Sequence, residues 1–278
     1  MKSPGREIDL STEATGDTGF SIYGFLTRDI QETIDHVTGE NPEWFSLLRD
    51  INQLLQKIVI SGFERHHGNT MDVKVLTMFS ALRSLSNFQS AIMNLERGMV
   101  VEARIMARCL YENSFCIGAL VDNPDTFIPL LKHDNVAAKR GQAVALKEGS
   151  YSLTADVEAA MDERISGDKG KHLKWKYIAE LSSLSSNYLM YKHLSDDAMH
   201  YSASSLKRYI VSDKESNTWS GYRFGPATKD EVIRAANFCV SPTLAIMIGF
   251  LEATDDTSYD REVNLVLDRF TSITSKGL

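Results

Sequence analysis

The sequence holds no Gly-rich phosphate loop, no CxxC pair, no HExxH helix and no GxSxG elbow, so the common nucleotide, zinc and hydrolase signatures are missing. Cysteine is scarce. The three residues Cys109, Cys116 and Cys239 are an odd number, and the first two fall seven apart on one helical stripe, which is the pattern of reduced core thiols rather than of a disulfide framework. The opening stretch MKSPGREIDLSTEATGDTG lacks the apolar core of a secretory leader, so a cytosolic compartment is expected. Positive charge is in deficit, with 30 Lys and Arg against 37 Asp and Glu; the net charge of −7 leaves no global grip on nucleic acid, only local patches. One uncharged run, Ala235 to Leu251, approaches bilayer length. Asn237, Ser241, Pro242 and Gly249 interrupt it, acidic residues follow it at Glu252, Asp255 and Asp256, and no positive flank orients it, so a proline-kinked core helix is expected and no membrane contact.

What is present suits a packed domain. Apolar residues make up 43% and charged residues 24% of the 278, which permits a large core and excludes wholesale disorder. Residues 1–20 are polar and glycine-rich and read as a flexible tail, with 21–278 as one helical domain. A short helix is predicted from Ser21 to His36. Asn41-Pro42-Glu43 opens the next, whose stripe Phe45, Leu48, Ile51, Leu55, Ile58 ends near Gly62. Asn69 or Thr70 caps a helix through Leu95, and Gly98 closes it as a left-handed residue does. Met99 to Val121 follows at once, and Asp122-Asn123-Pro124 ends it and caps a fourth helix reaching Lys147. A shorter helix starts at Thr154, a long one covers Leu173 to His193, and Ser195 before two aspartates reads as a fresh N-cap. Thr228-x-x-Glu231 is a capping box, and Val263, Val266, Phe270 and Ile273 mark a last amphipathic helix. The fold class is therefore all-α: a single-domain bundle of about seven helices, with a small hairpin near 211–226.

Chemistry concentrates in two stretches. Arg104, Arg108 and Glu112 lie four apart on a helix otherwise rich in Met, Cys, Leu, Phe and Ala, and two cations to one acid on a largely apolar helix need acceptors from elsewhere. Tyr188-x-x-Tyr191-x-x-x-Ser195 followed by His200-Tyr201 offers phenols, hydroxyls and an imidazole. Brought together, Arg108, Glu112, Tyr191 and His200 would make a semi-buried site for a small anion, a nucleotide or acid-base work; the alternative is a hydrogen-bonded core that keeps the helices in register. Lys171, Lys174 and Lys176 around Trp175 form the one basic patch suited to phosphate with a stacking ring, against a solvated loop with Trp175 in the core. The pair His66-His67 has no third ligand spaced to join it, so neither metal nor cofactor is expected.

The stretches RGMVVEARIMARCLYENSF and HLKWKYIAELSSLSSNYLMYKHLSDDAMHYSASSLKRY resemble a bacterial and archaeal family of helical proteins catalogued only as a domain of unknown function. The residues that carry the resemblance are Gly98, Glu102, Arg108, Glu112, Trp175, Tyr188, Tyr191, Ser195 and His200, and it covers about Asp72 to Tyr209. It implies a helical fold and suggests a bacterial stress or phage-defence setting, but no activity.

The reading that follows is a helical binding or regulatory protein, with a protein partner, self-association, or a nucleotide or RNA contact all open. Its rival is a HEPN-like metal-independent ribonuclease, whose motif separates an Arg from a His by about four to six residues. No pair fits: Arg28 with His36, and Arg164 with His172, each enclose seven residues.

Overall fold

The computed structural model describes residues 20–149, 151–195, 203–213, 215 and 218–275. Among them the chain is helical apart from one two-stranded hairpin. The order is α1 (Phe20–Tyr23), a 3-10 turn at Gly24–Leu26, α2 (Ile30–Glu40), α3 (Pro42–Arg65), α4 (Val73–Glu96), α5 (Val100–Asp122), α6 (Pro124–Glu148) and α7 (Ala155–Ser166). Then come α8 (Trp175–Glu180), a 3-10 turn at Ser185–Asn187, α9 (Tyr188–Leu194), α10 (Ala203–Lys207), β1 (Ile210–Ser212), β2 (Trp219–Tyr222), α11 (Lys229–Thr254) and α12 (Asp260–Thr274).

Helices α3, α4, α5 and α11 form the core, with α5 packed on both α4 and α11, and α11 also on α3 and α4. Fully buried side chains face one another there: Leu48, Ile51 and Leu55 of α3, Phe88 and Leu95 of α4, Leu110 and Phe115 of α5, Ile246 and Phe250 of α11. Each such burial contributes roughly 1.5–3 kcal/mol before entropy is counted. Small residues let the two central helices approach: Ala103 and Ala107 on α5, and Ala235, Ala236 and Cys239 on α11, are all buried. Helix α11 is long and apolar enough to cross a membrane by length and composition, yet it lies inside this bundle and runs unbroken through Pro242. Around the core, α12 covers α3 and α11, α6 lies on α5 with α7 outside it, and α8 and α9 lie on α5.

Local chemistry explains the joints. At the α4–α5 corner Gly98 has φ +72, the Gly98 amide donates to Leu95 O and the Met99 amide to Asn94 O, both at 2.9 Å, a Schellman closure that satisfies two terminal carbonyls. Glu231 accepts from the Thr228 amide at 3.1 Å and from its hydroxyl at 3.0 Å, which starts α11 where the capping box predicts. The hairpin pairs Ile210 with Tyr222 and Ser212 with Trp219.

Several boundaries differ from the sequence expectation. The first helix is split, because Gly24 takes φ +55 and the chain turns at Thr27 before α2 begins. Phe20, counted with the tail, is helical; the rest of the expected tail lies outside the described residues. Helix α4 is capped by Asp72, whose carboxylate accepts from the Lys74 amide at 2.8 Å, while Asn69 bonds the Met71 amide in the preceding turn. The long helix expected from Leu173 to His193 is broken between α8 and α9. There Ser182 donates to Ala179 O at 2.9 Å and accepts from the Leu184 amide at 3.2 Å, the hydroxyl competition with helical bonding that serine supplies.

Candidate functional site

The break in the α8–α9 segment is held by the end of α5. Asp122 accepts from the Ser183 amide at 2.7 Å, and Asn123 donates its side-chain amide to Leu181 O at 2.7 Å. Asn123 therefore serves this turn and makes no side-chain cap for α6, the role its place before Pro124 suggests. Gly118 makes the close approach workable: a Cβ there would stand 2.8 Å from the Cβ of Ser182. The turn seats α8 and α9 across the face of α5 that carries Arg108 and Glu112.

Arg108 is the hub of that face. Its Nε donates to Ser195 Oγ at 2.9 Å and its Nη2 donates to the Tyr191 hydroxyl at 2.7 Å. The same Nη2 stands 3.1 Å from Glu112 Oε1, one turn further along α5, and the Tyr191 hydroxyl donates to that carboxylate at 3.3 Å. Ser195 donates in turn to the Tyr191 carbonyl at 2.9 Å. Both charged side chains are largely buried, at 16% and 13% exposure. Burial pushes the Glu112 carboxyl up, opposed by Arg108, by the Tyr191 bond and by Arg83 of α4. Burial also raises the Tyr191 phenol, with Arg108 pulling the other way. The ring of Tyr191 packs edge-on to Phe115 at 6.0 Å, with Tyr188 at 5.6 Å and Trp175 at 6.4 Å on its other sides. The largely buried cation thus meets three oxygens, from Tyr191 of α9, from Ser195 just past its end and from Glu112 of its own helix, which ties the two elements together.

The remaining candidates fall elsewhere. Ser195 keeps helical angles, φ −64 and ψ −39, and its hydroxyl is spent on Arg108 and Tyr191, so it is not the extended N-cap expected there; the two aspartates after it and His200 lie outside the described residues. Arg104 does not join the cluster: it is buried near Glu231 at the start of α11, whose carboxylate it helps keep ionised. Cys109 and Cys116 lie half-buried beside Glu112, and burial raises both thiols, Cys116 to about 12. Lys171, Lys174 and Lys176 are exposed, and Lys176 pairs with Glu180 at 3.8 Å. Trp175 among them is half-buried against the core rather than open for stacking. Their loop is pinned to α6, where Asp134 accepts from the Leu173 amide at 3.0 Å and pairs with His172 at 3.2 Å. Arg28 is exposed before α2, and His36, exposed on α2, faces Glu40 at 3.7 Å; no hydrogen bond or ion pair joins the two among the described residues. No group of three metal-ligating side chains is found among those residues either.

Two features of this region were not among the expected ones. Arg83, from α4, acts on Glu112 electrostatically across the helix pair, and nothing in the sequence sets these distant positions side by side. The SSLSSN run between the two tyrosine-bearing pieces did carry a signal, since four serines in six residues compete with helical bonds.

A model of a Family of unknown function (DUF5677) matches residues 74–217, just over half of the chain. No curated protein and no solved structure matches it.

Proposed function

We propose, for a chain that belongs to the DUF5677 family of unknown function, that it is a cytosolic helical binding or regulatory protein in which Arg108 latches the α8–α9 segment onto α5. The observation that supports this reading is the mutual bonding of the cluster across two elements: Nε and Nη2 of Arg108, Oε1 of Glu112 and the hydroxyls of Tyr191 and Ser195 bond to one another. A general acid or base needs a lone pair or proton aimed at a substrate position, within about 3 Å of a reacting atom. Three surface grooves, of about 430, 560 and 460 Å³, are lined by other residues. A latch needs no such opening. It needs a bond set that holds one arrangement and can be exchanged for another, and a buried guanidinium held by two neutral hydroxyls and one carboxylate suits an exchange for an anionic ligand.

The test is incubation of the purified protein with total RNA and a nucleotide panel, beside Tyr191→Phe, Arg108→Gln and His200→Ala, with melting followed for each. In the latch reading no turnover appears, and Tyr191→Phe and Arg108→Gln each lose about 1–3 kcal/mol of stability. Turnover that disappears in Tyr191→Phe or His200→Ala while the melting temperature holds would replace this reading with the ribonuclease or another enzyme.

A further inference from the structure

The hairpin leaves its large side chains outside the bundle. Trp219 is 71% and Tyr222 76% exposed, and Ile210, opposite Tyr222, is 46% exposed. Their placement follows from a bulge. Ile210 pairs with Tyr222 and Val211 with Gly221, but Ser212 pairs with Trp219, so Ser220 is an extra residue on β2. Trp219 and Tyr222 are three apart, and in a regular strand they would point to opposite faces. The extra residue turns Trp219 onto the face of Tyr222, Ile210 and Ser212, which is how a bulge re-aims a side chain.

This face is not held by packing. A two-stranded hairpin is marginal by itself, and its anchorage lies at its foot. Phe224 packs tilted against Phe20 at 5.7 Å and edge-on to Phe25 at 5.9 Å, and the Ala227 amide donates to Gly98 O at 3.0 Å. The rings of Trp219 and Tyr222 stand above that foot and add nothing to the core. Tyr222 also lines a groove of about 560 Å³ with Tyr209, Phe224, the cations Arg208 and Arg223 and the acids Glu102 and Glu231, so the groove itself carries no excess of positive charge.

Charge identifies the occupant. From Ala203 to Gly225 the sequence carries four basic and two acidic residues, in a chain whose net charge is −7. Lys207 and Arg223, at the foot of the two strands, are exposed and have no ion-pair partner among the described residues. Two exposed rings on one face, in a stretch that also holds two exposed cations, match the two demands of an unpaired nucleic-acid strand, which are stacking for the bases and cations for the phosphates. We propose that the Trp219/Tyr222 face binds single-stranded nucleic acid, with bases stacked on the two rings and phosphates against Lys207 and Arg223. The surface shares no residue with the Arg108 cluster and does not rest on the latch.

The experiment is a titration of the full chain with labelled single strands of about 12 nucleotides, as RNA and as DNA, with a duplex control. Anisotropy and tryptophan fluorescence are read together. Trp44 is buried and Trp175 half-buried, so Trp219 is the exposed reporter. Saturable binding of either single strand with quenching of Trp219 is expected, and Trp219→Ala/Tyr222→Ala should weaken it by about tenfold or more. Lys207→Ala/Arg223→Ala should make log K fall less steeply with log salt, by about 0.7 for each phosphate contact removed. Deletion of Ser220 removes the bulge but leaves Trp219 two positions from Tyr222, opposite Ser212 and on the same face, so the quenching should persist. Circular dichroism and melting confirm that each variant keeps the bundle. No saturable binding at low salt, equal binding of duplex, or binding unchanged in the aromatic double variant overturns the proposal. So does a double variant that changes self-association in sedimentation and leaves strand binding intact, which would make the face a protein interface.

Discussion

Glu112 and Asp256 are both buried carboxylates facing an arginine, and they respond to their surroundings in opposite directions. Glu112 is raised, because burial outweighs Arg108 and the Tyr191 bond. Glu112→Ala leaves the Arg108 guanidinium without its carboxylate and should cost about 3 kcal/mol, whereas Glu112→Gln retains an acceptor for Tyr191 and should cost about 1 kcal/mol. Urea denaturation with an unchanged m-value checks the comparison. Burial would raise Asp256 too, but the bond from Arg65 and those from Ser258 bring it down to about 2. A carboxyl depressed in the folded state stabilises above its unfolded value, near 3.8, and that contribution is lost as pH falls through about 2. The expected loss is about 1–2 kcal/mol, since solvent reaches the Arg65 side. Acid titration of stability should be flatter below pH 4 in Asp256→Asn than in the parent; parallel curves would remove Asp256 from the account.

Elements meet here through glycines with defined tasks. Gly98 holds φ +72 at the α4–α5 corner, and a Cβ there would stand 2.8 Å from Pro226 and 2.9 Å from the Ala227 nitrogen. Gly98→Ala should cost about 2 kcal/mol or more in thermal melts. Gly118→Ala should act differently, prising the Ser182 turn off α5, so its mark is a change in near-ultraviolet circular dichroism from Trp175 and Tyr191 beside a loss of about 1–3 kcal/mol. Element identity was largely readable in advance: the stripe from Phe45 to Ile58, Gly98 past a helix end and Thr228-x-x-Glu231 are local codes, and each element lies where its code places it. What the residues alone did not disclose is non-local. The α8–α9 break depends on Asp122 and Asn123 reaching some sixty positions ahead, and the bonds from Arg108 to Tyr191 and Ser195 span 83 and 87 positions. Helical periodicity names the face a residue occupies but not the residue opposite, so Arg108 and Glu112 could be read as needing partners while Arg83 could not be foreseen.

For the whole molecule, the decisive fact is that the centre is assembled from chain ends far apart in sequence. Helix α11 starts after about four-fifths of the chain and buries Val232, Cys239, Ile246 and Phe250 against α3, α4 and α5. A chain ended before Thr228 should therefore keep much helix by far-ultraviolet circular dichroism yet bind hydrophobic dyes and aggregate, because the apolar faces of α4 and α5 would have no cover. Recovery of a soluble, cooperatively melting product would show that those four helices are not one unit. The same placement has a meaning during biosynthesis. At about 5–20 residues per second the ribosome completes α5 on the order of ten seconds before α11. Through that interval the nascent protein lacks the helix that covers α3, α4 and α5, and its apolar faces stay open until α11 has emerged.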